Sequence, residues 1–154
     1  MTNDATIWHD KPTIEFANKR SATSAIAHLG IEFTDIGPDY LEARMPVDSR
    51  TLQPAGVLHG GASVVLAETL ASWAATFVVD PTKAGCVGME INANHLRPVT
   101  EGWVTGIARP VSLGRTTHVW DIRITDSRDR LVCISRCTIA VVQGLVSEAF
   151  RDRA

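Results

Sequence analysis

Cysteine is scarce in this 154-residue chain, and the three present, Cys86, Cys133 and Cys137, form no CxxC pair and have no histidine at zinc-finger spacing. A disulfide framework and a structural zinc site are therefore excluded, and the thiols are expected to be small buried hydrophobes in a reducing compartment. Basic excess is also lacking: 15 Lys and Arg against 17 Asp and Glu leave a formal net charge of -2. Neutralising nucleic-acid phosphates needs a cationic face, so a dedicated nucleic-acid binder is excluded and anionic ligands must meet local clusters. Residues Met1 to Lys11 lack the basic and then apolar pattern of a secretory leader, so a cytoplasmic protein is expected. No repeat, low-complexity run or linker interrupts the chain.

What is present is one apolar domain over residues 1–154, 45% hydrophobic and 21% charged. A chain of this length buries roughly 70% of its unfolded surface, enough for a core without metal or disulfide staples. The longest apolar run, Gly61 to Val79, carries Glu68 as its only charge. A helix there would be about 28 Å long, close to a bilayer core. The mid-segment carboxylate, the polar Ser63, Thr69, Ser72 and Thr76, and the lack of basic flanks argue against a membrane span. The expectation is a central helix over 61–79, apolar all round because it is buried all round.

After Pro81 the period changes to two. Val87, Met89, Ile91 and Ala93 alternate with smaller or polar residues, as do Trp103, Thr105 and Ile107, then His118, Trp120, Ile122 and Ile124, followed by a β-rich run from Leu131 to Val142. Turn chemistry at Pro98 to Gly102, Ser112 to Arg115 and Asp126 to Arg130 separates them, which suits an antiparallel meander. Upstream, Ile31 to Ile36 and Tyr40 to Val47 flank Gly37-Pro38-Asp39 as a hairpin. Two short helices, Thr13 to Lys19 and Thr23 to Leu29, occupy the first 29 residues, the second closed by Gly30; residues 143–154 form a tail. Strands segregated from one long helix indicate an α+β fold in which the sheet curls around the helix. A helix apolar on every face would still leave one uncovered on an open sheet, so self-association is expected.

Chemistry concentrates at the helix start. Leu58-His59-Gly60-Gly61 combines two glycines, which admit a ligand close to the backbone, with free N–H groups and the positive end of the helix dipole. That suits a developing oxyanion. Glu68 lies about two turns further along, with Ser72 at i+4 on its face. A carboxylate in an apolar helix is either paired with an arginine or serves as a general base or nucleophile in a partly dry pocket. His59 fits a loop-orienting hydrogen-bond role, with proton transfer as the second reading. The Gln53 amide could donate to the same substrate oxygen as Gly60. A second cluster joins His95, Leu96 and Arg97 at a strand end to the turn Ser112, Leu113, Gly114, Arg115, Thr116 and Thr117, a mixture of cations, hydroxyls and glycine suited to phosphate or simply to solvent. Trp73, Trp103 and Trp120 line a pocket or pack the core, Arg128 and Arg130 read as turn surface, and Trp8 stands near an end expected to be mobile.

The segment from Met45 to Glu68, containing Gln53-Pro-Ala-Gly and Leu58-His-Gly-Gly-Ala, followed by Val87-Gly-Met-Glu-Ile-Asn-Ala-Asn-His-Leu-Arg97, resembles the hotdog-fold acyl-CoA thioesterases. Within them it is most similar to the 1,4-dihydroxy-2-naphthoyl-CoA hydrolases and the enterobactin proofreading thioesterases, and more distantly to a 4-hydroxybenzoyl-CoA thioesterase. The likeness covers about residues 30 to 142. It implies a hotdog fold, a homotetramer built as a dimer of dimers, active sites at the dimer interface, and no cofactor or metal, coenzyme A being part of the substrate. It implies Glu68 as the catalytic carboxylate, Gly60 as the oxyanion-hole amide, Gln53 and His59 as groups orienting the thioester carbonyl, and Ser72 as a hydroxyl that holds water or substrate. Gly88, His95, Leu96, Arg97 and the Ser112 to Thr117 turn fall where relatives contact coenzyme A. A hotdog dehydratase or hydratase and a non-catalytic acyl-CoA binding protein are the alternatives. The bulk of Trp73 is a departure that bears on the acyl group accepted.

Overall fold

The structure is a computed structural model, and it describes residues 5–150; residues 1–4 and the end of the expected tail, 151–154, lie outside the described residues. Two short helices come first, α1 (Ile14–Ser21) and α2 (Ala25–His28), followed by the hairpin β1 (Glu32–Ile36) and β2 (Leu41–Pro46). The long helix α3 (Gly60–Val78) precedes β3 (Ala84–His95), β4 (Trp103–Leu113), β5 (Thr117–Asp126) and β6 (Leu131–Gln143), and a 3₁₀ turn (Glu148–Phe150) ends the described chain. The strands form one antiparallel sheet in the order β1-β2-β4-β5-β6-β3. Consecutive β4, β5 and β6 are neighbours, the expected meander.

Local chemistry sets the boundaries. The Thr13 hydroxyl accepts from the Phe16 N–H at 3.1 Å and caps α1, which runs two residues past the expected Lys19. Helix α2 is shorter than expected and ends in a Schellman motif: Gly30, at φ +71°, donates to the Ala27 carbonyl while Ile31 donates to that of Ile26, both at 3.0 Å. In the hairpin the Gly37 N–H donates to the Tyr40 carbonyl at 3.0 Å. Trp8 corrects its expected mobility: it is buried, and its indole N–H donates to the Gly37 carbonyl at 2.7 Å. The next residue, His9, donates its N–H to the Phe77 carbonyl at the end of α3, so the N-terminal strap is fastened to both hairpin and helix.

Helix α3 packs against β2, β3, β4, β5 and β6. Its Leu66, Leu70 and Phe77 meet the inward residues of alternate strand positions, among them Leu41, Met45, Val104, Trp120, Ile122, Ile124 and Ile139, all fully buried. Trp73 sits in an aromatic cluster, with Phe77, Phe150, Phe33 and Phe16 at ring-centroid distances of 5.4, 5.5, 5.7 and 6.0 Å. Among the described residues α3 is the one helix long and apolar enough, by length and composition, to cross a membrane, and here it is the central helix inside the sheet. The sheet wrapped about one helix is the hotdog arrangement that the resemblance implies.

Two expectations need correction. The helix is not buried on every side: Gly61 and Glu68 are exposed, and Val64, Ser72 and Thr76 are half-buried, so the i+4 row 64, 68, 72 and 76 forms an open stripe. Strand β3 also departs from the half-buried pattern, because among the described residues it is an edge strand paired only with β6, with Val87 and Met89 exposed by 47 and 66% and Leu96, just past its end, by 54%. The single apolar stretch therefore marked the core, and one stripe of α3 is left uncovered among the described residues.

Candidate active site

The loop before α3 is built on Thr51, whose hydroxyl donates to the Pro46 carbonyl at 2.7 Å and accepts from the Asp48 N–H at 3.1 Å. Gln53 and Val57 close the next turn by an N–H to carbonyl bond of 2.9 Å, and the His59 N–H returns to the Thr51 carbonyl at 2.8 Å. The Gln53 side-chain oxygen accepts from the Ala55 N–H at 2.7 Å, which leaves its NH2 end as a free donor.

A helix start has four N–H groups without intrahelical partners. In α3 the His59 Nδ1 accepts from Gly61 at 2.8 Å, and the His59 carbonyl accepts from Ala62 and Ser63 at 2.9 and 3.2 Å. The Gly60 N–H alone has no partner among the described residues, and it stands at the positive end of the 19-residue helix. Because Nδ1 of His59 is an acceptor, the donor of the neutral ring is its Nε2–H. The His95 ring is beside Gly60: a Cβ built on that glycine would lie 2.8 Å from His95 Nε2.

Glu68 follows two turns along the open stripe. Gly88 faces it from β3, where the register shifts between Gly88 and Glu90, and a Cβ at Gly88 would lie 2.9 Å from Glu68 Oε1. The carboxylate is thus exposed in the protomer, not buried as its apolar context suggested, and no arginine is ion-paired with it among the described residues. Cys137 on β6 is paired with Ile91 of the same strand, and burial, reinforced by the Glu68 and Glu90 charges, pushes its thiol up to about 12. It is held as a neutral thiol and supplies no nucleophile.

Of the sequence-predicted residues, the structure brings His59 and His95 to Gly60 at the head of α3, with Gln53 in the adjoining loop, and brings Gly88 to Glu68 two turns further along, with Ser72 one turn beyond. Leu96 and Arg97 leave β3 as exposed residues, both N–H groups directed at the Val132 carbonyl at 2.8 and 3.4 Å. The second cluster does not exist within a protomer. His95 is opposite Cys133 on β6, whereas Thr117 is opposite Ala140, seven residues or about 23 Å along the strand. The Ser112 to Thr117 turn instead borders a cavity of about 360 Å³ with Asp80, Lys83 and His118, at the far end of α3. Arg130 is more than turn surface: it binds the buried Asp126 through Nε and NH2 at 2.9 and 2.7 Å.

The sequence reading missed a cavity of about 300 Å³ beside Ser72, which Trp73, Thr76 and Cys86 line together with Arg20 and Ser21 of α1. No short-range pattern links residue 20 to residue 72; only the i+4 row of Glu68, Ser72 and Thr76 pointed to that side of the helix.

Residues 55–133 match the thioesterase superfamily model. The chain is 48% identical over 136 residues to the 1,4-dihydroxy-2-naphthoyl-CoA hydrolase of Escherichia coli, covering 88% of this chain and 99% of that protein. It is 47% identical over the same length to the proofreading thioesterase EntH of Cronobacter turicensis, covering 88% and 98%. Among solved structures, a mutant of thioesterase PA1618 from Pseudomonas aeruginosa superimposes with a TM-score of 0.89 at 50% identity, covering 90% of this chain and 99% of that one. An alignment of 136 residues is longer than the whole stretch from residue 30 to the C-terminus, so the likeness reaches into the N-terminal helices, beyond the expected limit of residue 30.

Proposed function

The chain belongs to the thioesterase superfamily and is a thioester hydrolase, and on that premise we propose that it cleaves aromatic acyl-CoA esters, such as 1,4-dihydroxy-2-naphthoyl-CoA or a benzoyl-type CoA, to the free acid and CoA. The observation that carries this reading is the unpartnered Gly60 N–H at the head of α3 with the Glu68 carboxylate further along the same open stripe. The aromatic preference draws on the relative named as a 1,4-dihydroxy-2-naphthoyl-CoA hydrolase, not on the geometry.

In this mechanism the Gly60 N–H, assisted by the Gln53 NH2 and His59 Nε2–H, stabilises charge growing on the thioester oxygen; such donors contribute roughly 10² to 10³ in rate each, and because eight residues of helix, about 12 Å, part Gly60 from Glu68 in one chain, the Glu68 acting on that carbonyl is the second copy's. Glu68 either attacks the carbonyl carbon to form a mixed anhydride that water then opens, or takes a proton from a water held by Ser72. CoA departs as a thiolate, a good leaving group, so the proposed chemistry calls for no metal or cofactor. Gly88 holds the floor under the carboxylate by having no side chain.

The split between the His95 end and the Ser112 to Thr117 turn supports a site shared between two copies. Among the described residues no strand pairs with the outer edge of β3, and antiparallel pairing with the same edge of a second copy would bring that copy's turn to this protomer's His95 end. We place CoA across that junction, in a dimer that assembles further into a tetramer; light scattering of the purified protein reads the assembly. We place the protein in the reducing cytoplasm, where Cys133 and Cys137 stay thiols. The test of the activity is thiol release from dihydroxynaphthoyl, benzoyl, hydroxybenzoyl and linear acyl-CoA esters by the wild type and Glu68→Gln. Turnover strongest on aromatic esters and lost in the variant supports the proposal. Equal activity in both proteins makes Glu68 structural, and CoA binding without turnover in either moves the protein to a binding role. A single turnover in oxygen-18 water separates the two routes: label in Glu68 marks the anhydride.

A further inference from the structure

The stripe that starts at Gly60 and passes Glu68 and Ser72 leads into the cavity of about 300 Å³ bounded by Ser72, Trp73 and Thr76 on one wall and Arg20 and Ser21 on the other. Resting on the acyl-CoA reading above, we propose that this cavity receives the far end of the acyl group and that Arg20 selects an acyl group carrying a carboxylate there. Three features carry this.

The first is dimension. Helical rise puts Ser72 about 6 Å and Thr76 about 12 Å beyond Glu68 along the axis, so a ring whose carbonyl is at Glu68 has its distal substituent at the cavity. The volume is at the small end of ligand pockets, room for one substituted ring. The second is an apolar wall. Trp73 and Phe150 both line the cavity, with ring centroids 5.5 Å apart, and offer an aromatic surface to a ring. The third is charge. Arg20 has no ion-pair or hydrogen-bond partner among the described residues, although Glu15 and Glu148 line the cleft on its other side. A planar guanidinium at the cavity matches a carboxylate, with Trp73 supplying the apolar side for the ring.

The test compares para-carboxybenzoyl-CoA, ortho-carboxybenzoyl-CoA, para-hydroxybenzoyl-CoA and benzoyl-CoA with the wild type, Arg20→Gln and Arg20→Lys. The expected result is a kcat/KM for the para-carboxy ester above that of benzoyl-CoA, with the ratio reduced about tenfold to a hundredfold in Arg20→Gln and partly kept in Arg20→Lys. An unchanged ratio in Arg20→Gln overturns the proposal, as does an equal gain for the ortho-carboxy or para-hydroxy ester. If the wild type hydrolyses none of the four, the thioesterase reading fails by itself, and calorimetric titration of the same esters then reads the cavity. An Arg20-dependent preference for the para-carboxy ester in that titration upholds the carboxylate site, and its absence overturns it.

Discussion

Replacing Gly88 by alanine separates catalysis from stability. The added methyl would lie 2.9 Å from Glu68 Oε1, whereas ordinary contact begins near 3.4 Å, so the carboxylate must retreat by about 0.5 Å. The obstacle is the end of a flexible side chain on an open stripe, and Gly88 is not among the glycines with positive φ, so alanine can adopt its backbone. Restricting the unfolded chain then favours the fold by up to about 1 kcal/mol. Catalysis responds in the opposite sense, because displacing a reacting group by 1 Å costs on the order of 10² in rate. Half that displacement gives a loss of about tenfold in kcat/KM. Thiol-release kinetics on an aromatic CoA ester, beside thermal melts of both proteins, measure the two effects separately. A kcat/KM within about twofold of the wild type, in a protein that melts no lower, would refute the assignment of Gly88 as the floor of the Glu68 site.

Other perturbations test separate parts of the fold. His59→Ala removes the acceptor that caps Gly61, and a loss of about 1 kcal/mol with a melting point lower by roughly 2 to 4 °C is expected by calorimetry. Arg130 and two backbone N–H groups hold the Asp126 carboxyl at about 2, below its ordinary 3.8. A depressed acid stabilises the fold above its unfolded value and loses that contribution as pH falls from about 4 towards 2. Asp126→Asn should therefore be less stable at neutral pH and show a shallower decline over that interval; parallel urea-stability profiles would contradict this. Burial lowers His118 from its ordinary 6.5, so the unfolded chain takes up its proton first and stability falls as pH drops below about 6.5. His118→Phe should remove that slope, read from denaturant midpoints between about pH 7 and pH 5.

The sequence made α3, the hairpin and the β4–β6 meander legible, because each carries its own period and its own turn residues. Gly37-Pro38-Asp39 and Gly30 are local punctuation, and local punctuation survives tertiary packing. The open stripe was not legible: Glu68 and Ser72 read as interruptions in a buried helix because burial depends on which strand lies at the sheet edge, and β3 looks no different in sequence from an interior strand. The same nonlocal ignorance joined His95 to the Ser112 to Thr117 turn. Both have phosphate-like composition, but pairing along β6 puts them at opposite ends. Gly60 and Glu68 were legible from the helix start and the lone charge, whereas Gly88 entered only through family likeness, and its contact with Glu68, beside the register shift in β3, is one that no single-residue property announces. Arg20 and Ser21 escaped notice because their significance comes only from facing Ser72 across a cavity.

The separation of the His95 end from the Ser112 to Thr117 turn has a genetic consequence. In a twofold dimer with composite sites, a chain crippled at His95 and a chain crippled at the turn are each inactive alone, yet a mixed dimer places both lesions in one site and leaves the other intact. Random reassociation of the two would restore about a quarter of the wild-type sites. A defective allele of either kind would also be recessive beside a normal copy, because the damaged chain still lends its sound half to a partner. Two such alleles in one cell would complement each other, a rescue that a self-contained protomer could not show.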